Sequence, residues 1–220
     1  MSWFGKLFTR APSLPQKTPG ELGGPLVGCL SGALRRSPSV PALKELAQTI
    51  DPSLEQRVLD TEVFIFHKFL VVQVLVVQAW AGNFPQKVTN SAVAAFYSSL
   101  QLVLSQDFEG CLYVSEYIRS LVRADRSAFD ALERLWVVRA RQYEEPFAID
   151  WEEYLKHPPN HLPWKRLVVS FMSNFGEVSG SLHDVLAATP GATHACICVS
   201  MSFGVLLPEV GKIIRSHYGP

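Results

Sequence analysis

The longest uninterrupted apolar pattern in the chain lies between Ser53 and Ala81, where no glycine or proline occurs. Its first half mixes charged and apolar positions, whereas from residue 69 onward the polar residues are two glutamines, Gln73 and Gln78, each of which needs a hydrogen-bond partner or a water if it is buried. A pattern of this length is typical of a helix, although its valines leave two strands as an alternative. A helix that is apolar on every side is buried in a bundle or in a membrane. The pattern therefore predicts one long, central, apolar helix.

The choice between a protein core and a membrane depends on residues 63–81. A membrane-spanning helix needs about 20 apolar residues, and any window of that length here takes in His67 and Lys68 as well as both glutamines. The core helix is therefore the favoured interpretation. A membrane-embedded protein that uses residues 63–81 stays as an alternative.

Shorter helical patterns occupy most of the remaining chain, separated by residues that break regular structure. Residues 193–204 alternate small or polar with apolar side chains, as a strand does, but a lone strand has no partner in a helical chain. We expect a helix there and another that begins near Pro208. The fold class is thus predicted as all-α, a single compact bundle of about seven or eight helices. The other helices are predicted at Lys87–Ser105, Gly110–Arg123, Arg126–Tyr143, Pro163–Phe175 and Ser181–Ala188.

Prolines and glycines are frequent before residue 41, and they interrupt regular backbone repeatedly. One short helix is expected in this part, over residues 26–34. The domain organisation predicted from this change in composition is a flexible leader over residues 1–40 and a helical domain over residues 41–220.

The first ten residues contain a short amphipathic segment. On a helix, Trp3, Phe4, Leu7 and Phe8 share one face, and the cations Lys6 and Arg10 accompany them. No long apolar stretch follows, so a secretory signal is not indicated. The segment is a candidate contact with a membrane surface or a partner, although a terminus that packs its aromatic side chains on its own domain has the same pattern and is the simpler interpretation.

Composition excludes some classes of function. Twenty basic and twenty acidic residues give no net charge, so no long-range field favours nucleic acid, and no nucleic-acid partner is expected. Four cysteines in 220 residues do not indicate a disulfide framework, which favours a cytoplasmic protein with reduced thiols.

The stretch from residue 144 to residue 163 is rich in proline and acidic residues and is predicted to be an ordered loop. Within it, Asp150 is expected to cap a single helical turn. His157 and His161 follow two glutamates, a combination that is able to bind a transition metal. They are the candidate metal ligands of an alternative function, a metal-dependent or small-molecule-binding enzyme.

No motif for nucleophilic or nucleotide chemistry occurs in the sequence. His194, Cys196 and Cys198 carry metal-binding side chains, but their spacing does not close a tetrahedral site, and buried thiols are the favoured interpretation. The leading hypothesis is therefore a non-catalytic helical protein-interaction module, tethered to a membrane surface or a partner by its N-terminal segment. No cofactor is predicted, and a transition metal enters only under the alternative.

Overall fold

The computed structural model describes residues 20–105, 126–156 and 163–218, and this part of the chain is all-α. The predicted fold class, a compact helical bundle, is confirmed. The eight helices of the described residues are α1 (Gly20–Arg36), α2 (Ser39–Ile50), α3 (Gln56–Trp80), α4 (Gln86–Ser105), α5 (Arg126–Lys156), α6 (Lys165–Met172), α7 (Leu182–Ala188) and α8 (Ala192–Tyr218).

Helix α3 is the centre of the bundle, as its apolar pattern predicts. It contacts α1, α2, α4, α5 and α8, so it has neighbours on every side. Side chains that point in different directions from it, such as Ile65, Val74 and Leu75, are all fully buried. The strand alternative for this segment is wrong, because a helix surrounded by other helices satisfies its own backbone hydrogen bonds while it buries apolar side chains on all faces.

Helix α1 includes the short helix expected at residues 26–34. Leu22, Leu26 and Leu30 are buried against the rest of the bundle, and Gly23 allows close contact with α4 because a Cβ atom there would meet Ser99 and the Ala95 carbonyl oxygen. Residues 1–19 lie outside the described residues. The flexible leader and the division of the chain at residue 40 stay predictions.

Helix α5 is longer than predicted. The sequence indicated an end at Tyr143 and a loop from residue 144, but α5 continues through Pro146 to Lys156. Phe147 and Trp151, both beyond the proline, are buried in the core. The burial of these aromatic side chains stabilises the helix enough to offset the backbone hydrogen bond that a proline removes, which costs about 3 kcal/mol.

Asp150 does not cap a turn of its own, in contrast to the prediction. It lies within α5, and its Oδ2 accepts a hydrogen bond of 3.0 Å from the backbone N–H of Leu167, in the first turn of α6. Trp164, which precedes α6, has left-handed backbone angles (φ 68°, ψ 22°) and makes no side-chain cap. The carboxylate of α5 therefore supplies the cap that the local sequence of α6 lacks.

The C-terminal part of the chain forms one helix. Residues 193–204 are helical, as expected, but α8 continues through Pro208 instead of ending there. Gln78 Nε2 of α3 donates a hydrogen bond of 2.9 Å to the carbonyl oxygen of Leu207, next to the proline. This contact answers the expectation that a glutamine in the apolar half of α3 needs a polar partner.

Two helices of the described residues, α3 and α8, are long and apolar enough to cross a membrane. They differ in their surroundings, because 89% of the apolar window of α3 is buried inside the bundle, against 44% for α8. Burial in the protein core therefore explains the apolar composition of α3. Burial does not explain the apolar residues on the exposed half of α8.

Candidate functional site

One face of α8 combines apolar side chains with exposure to solvent. Ile197, Met201 and Val205 are 45%, 57% and 63% exposed, and they follow one another at intervals of four residues. Residues at this spacing lie above one another on a helix, and exposed Gly204 and Pro208 extend the same face. We call these five residues the α8 face.

Polar residues limit the α8 face at both of its ends. His194 is exposed one turn before Ile197, and Lys212 is exposed one turn after Pro208. Between Ile197 and Pro208 the helix rises by roughly 17 Å, at 1.5 Å per residue. The apolar strip is therefore about three turns long, which is shorter than the bilayer core of roughly 30 Å.

Two exposed carboxylates, Glu45 on α2 and Glu209 on α8, lie on one side of the α8 face. Burial and the charge of Glu45 raise the pKa of Cys198, which places this carboxylate near the first turns of α8. Burial and the charge of Glu209 raise the pKa of Cys29 on α1 to about 11. This side of the face lies toward α1 and α2, and it also carries exposed Arg36, directly before Ser37 at the end of α1, so its charge is mixed.

The other exposed apolar side chains of the described residues do not form a comparable surface. Ten large ones are exposed, and five of these lie on α5. Val138 and Ile149 share one side of that helix, but exposed Glu145 lies between them. Scattered apolar residues are normal on a protein surface, whereas the α8 face is a continuous strip.

A buried hydrogen-bonded cluster joins α2, α3 and α8. Ser39 Oγ lies 2.7 Å from His67 Nε2, and Ser202 Oγ donates to Ser39 Oγ at 2.8 Å. Ser37 hydrogen-bonds to both serines. A serine that donates to a histidine is the arrangement of an activated nucleophile. Here Ser39 and His67 have no exposed surface at all, so the pair serves the core rather than a substrate.

Burial lowers the pKa of His67 to about 4, because the charged imidazolium is disfavoured away from water; the hydrogen bond to the Val63 carbonyl oxygen opposes this shift. His67 is consequently neutral at pH 7.

Lys68, the next residue of α3, is also buried but points to another side of the helix. Its Nζ donates a 2.8 Å hydrogen bond to Glu133 Oε1 and lies 4.5 Å from the ring centre of Trp136 and 5.0 Å from that of Tyr97. Burial lowers the pKa of Lys68, and the Glu133 carboxylate opposes that shift. The ammonium group thus has an anion and two aromatic faces as partners, which satisfies it inside the bundle.

Two shallow cavities, of about 190 and 240 Å³, are both lined by Tyr97. Lys68 and Glu133 line the first, and Gln73 and Trp136 line the second. Gln73, predicted to need a polar environment, therefore borders a cavity between α3 and α5. In the first cavity, the Lys68 ammonium group is paired with Glu133 and lies against Tyr97.

A second buried ion pair links α3 to α5. Arg139 holds Glu62 through two hydrogen bonds, of 2.7 Å from Nη2 and 3.0 Å from Nε. Asn174, after α6, donates to the same carboxylate and to the hydroxyl of Tyr143. The paired geometry satisfies a glutamate that is almost fully buried.

The candidate contact residues of the N-terminal segment, Trp3, Phe4, Leu7 and Phe8, lie outside the described residues. The candidate metal ligands His157 and His161 lie outside them as well. In the described part of the chain, no three His, Cys, Asp or Glu residues come close enough to hold a metal ion.

The thiols of α8 have different surroundings. Cys196 is buried and its Sγ approaches the Trp164 carbonyl oxygen, whereas Cys198 Sγ lies 3.5 Å from His194 Nε2 on the opposite side of the helix. The two cysteines therefore cannot bind one metal ion together, and Cys196 is a core residue.

The α8 face was not among the sites suggested by the sequence. Its residues are small or apolar like those of the buried side of α8, so composition alone does not separate the two. The available signal was the four-residue spacing of Ile197, Met201 and Val205 on a helix with polar residues, His194 and Lys212, before and after them.

Comparisons with known proteins found no relative. The chain matches no family model, no curated protein and no solved structure.

Proposed function

We propose that this protein is a non-catalytic helical interaction module, and that the α8 face binds a short amphipathic helix of a partner protein. The observation that carries the proposal is the exposure of Ile197, Met201 and Val205 as one continuous apolar strip. Exposed apolar surface of this kind is costly in water unless a partner covers it.

The dimensions of the strip favour a helical segment over a second globular surface. Stable contacts between globular proteins cover about 800 Å² on each partner. Three large side chains along three helical turns offer much less than that. An amphipathic helix instead docks through a few apolar residues spaced three and four apart, which is the spacing that the α8 face presents.

The charges beside the strip add a preference for the partner's polar side. Glu45 and Glu209 are exposed along one edge. A helix with lysine or arginine opposite these two glutamates and an acidic residue opposite exposed Arg36 fits this edge, because opposite charges at the rim increase the association rate and fix the orientation.

The test is photo-crosslinking in the protein's own cells. A photoreactive residue at Met201 should capture a partner, and the same residue at Val138, which is equally exposed on α5, should not. A synthetic peptide of the captured helix should then bind the purified chain. Val205→Glu should weaken this binding by roughly tenfold or more, since it places a charge in an apolar contact. Val138→Glu is the matched control and should leave the affinity unchanged.

The proposal is wrong if the residue at Met201 captures no other protein. It is also wrong if the captured peptide binds the Val205→Glu variant as tightly as the unmodified chain.

A further inference from the structure

We infer that, while no partner is bound, the α8 face is covered by the chain's own amphipathic segment, residues 3–8. The inference deepens the proposed function, since it rests on the same face and assigns a competitor to it. Three observations support it: the direction of α1 beside α8, the length of the connecting chain, and the small size of the strip.

Helices α1 and α8 pack against each other in opposite directions. Ser37, directly after α1, hydrogen-bonds to Ser202, while Cys29, eight residues earlier, lies near Glu209, seven residues further along α8. Continued at the same rate, this alignment brings Gly20 close to the level of Tyr218, the end of α8. Gly20, the first described residue, therefore lies near the level of the C-terminal end of α8.

The connection is long enough to return to the strip. From the level of Tyr218 back to Val205, α8 rises by roughly 20 Å, at 1.5 Å per residue. Residues 9–19 extend over at most roughly 35–40 Å. They reach the α8 face with slack, and the prolines among them still leave enough length.

The two surfaces match in length. Trp3, Phe4, Leu7 and Phe8 share one face on a helix and occupy about two turns, which fits within the three turns of the strip. The edge of the strip toward α1 and α2 carries exposed Glu45, Glu209 and Arg36, so the cations Lys6 and Arg10 have two carboxylates as partners there and one cation that opposes them.

A tether makes such a small contact sufficient. A short linker keeps its segment at an effective concentration on the order of millimolar, so an interaction with a dissociation constant near 1 mM keeps about half of the faces covered. A second copy of the protein gains no such advantage at ordinary concentrations. The tethered segment is thus a better occupant of a three-turn strip than a second copy.

The experiment uses the purified full chain with a photoreactive residue in place of Val205. Illumination should link this position to residues 3–8, in a product that migrates as a monomer and whose yield does not fall on dilution. The photoreactive residue at Val138 is the positional control and should give no such product. In the chain with Leu7→Asp and Phe8→Asp, the yield should fall by roughly fivefold or more, whereas Thr9→Asp should leave it unchanged.

Three results would overturn the inference. The first is a link from position 205 only to a second copy, in a dimer whose yield grows with concentration. The second is no link from position 205 to any residue. If vesicles of phosphatidylcholine and phosphatidylserine then bind the chain, and Leu7→Asp with Phe8→Asp abolishes this binding, the lipid surface is the site of the segment. The third result is an unchanged link to residues 3–8 after both aspartate substitutions.

A synthetic peptide of residues 1–12 separates this inference from the proposed function. Added to the chain with Leu7→Asp and Phe8→Asp, it should bind, and Val205→Glu should abolish the binding. If the peptide binds and no partner is captured at Met201, the inference stands and the proposed function is wrong. A partner captured at Met201 without a link to residues 3–8 leaves the proposed function standing and removes this inference.

Discussion

Ser39 donates a hydrogen bond to His67, with 2.7 Å between Ser39 Oγ and His67 Nε2. The direction follows from the other ring nitrogen, because His67 Nδ1 lies 2.8 Å from the carbonyl oxygen of Val63, and a carbonyl oxygen only accepts. The hydrogen atom therefore resides on Nδ1, and Nε2 accepts from the serine. This contact fixes one neutral tautomer of a fully buried imidazole between α2 and α3.

The first prediction concerns acid stability. Burial lowers the pKa of His67 to about 4, below the 6.5 of the unfolded chain, so the unfolded chain takes up the proton first. The contribution of His67 to stability is complete above pH 6.5 and is lost as the pH falls from 6.5 to about 4. The loss amounts to about 3 kcal/mol at the acid end, at 1.36 kcal/mol per pKa unit. Urea unfolding at several pH values in this window measures it.

The control for this prediction is His67→Gln, which removes the titrating group. Its free energy of unfolding should be lower at pH 7, but it should change less between pH 6.5 and 4 than that of the unmodified chain. Equal pH dependence in both proteins would assign the acid sensitivity to other groups.

The second prediction concerns Glu62 and Arg139. In Arg139→Met, the nearly buried carboxylate keeps Asn174 as a partner but loses its cation, which should lower the free energy of unfolding by about 3–5 kcal/mol. Adding Glu62→Gln to this variant should restore part of the loss, because the uncompensated charge is gone. Chemical denaturation of both single variants and the double variant gives the coupling energy. Additive losses would contradict the ion pair as the source of the effect.

The third prediction separates charge from packing at Lys68. Lys68→Met keeps a side chain of similar shape and removes the buried charge, so its cost should be below about 1.5 kcal/mol. Lys68→Ala leaves an unfilled volume beside Tyr97 and Trp136 and should cost about 2–4 kcal/mol. Glu133→Gln should cost more than Lys68→Met, since it leaves the ammonium group without its anion. Thermal and urea unfolding rank the three variants, and a Lys68→Met variant that is the least stable of the three contradicts the argument.

The fourth prediction concerns the cap that Asp150 gives to α6. Burial raises the pKa of Asp150, so the folded protein disfavours the carboxylate form relative to the neutral acid. Arg166 lies 3.3 Å from the Asp150 carboxylate but also pairs with Glu153, so it keeps an anion when Asp150 is replaced. A neutral amide is therefore a fair substitute, and Asp150→Asn should cost less than about 1 kcal/mol. Asp150→Ala leaves the N–H of Leu167 without an acceptor and should cost about 1–3 kcal/mol. Equal stability of the two variants would show that the hydrogen bond contributes nothing.

The sequence pattern predicted the position of a helix well where that helix also forms the core. The predicted helix from Ser53 to Ala81 is α3, Gln56–Trp80, because the breakers at its ends and the continuous apolar run agree. Pattern failed at Pro146 and at Pro208, where both prolines lie inside helices. In each case the stabilising contacts are made with distant residues. Phe147 and Trp151 pack against Trp164 and Phe203, and Gln78 of α3 bonds to the carbonyl oxygen of Leu207. The spacing of residues around each proline does not contain this information.

Some features of the candidate site could likewise be predicted from the sequence, and others could not. The amphipathic character of residues 3–8 and the polar requirement of Gln73 and Gln78 follow from sequence. The exposure of Ile197 beside the burial of Cys196 does not, since both are apolar and the difference depends on which helices pack against α8. That information resides in the tertiary arrangement.

Helix α3 holds its neighbours through polar contacts at four heights: Glu62 to Arg139, His67 to Ser39, Lys68 to Glu133, and Gln78 to the backbone of Leu207. Each contact requires a given rotation of the helix about its axis. One inserted residue rotates everything that follows by about 100°. An insertion between Lys68 and Gln78 would therefore place the two ends of α3 in conflict, whereas substitutions that preserve length keep every contact in register. We expect that α3 tolerates changes of residue far better than changes of length.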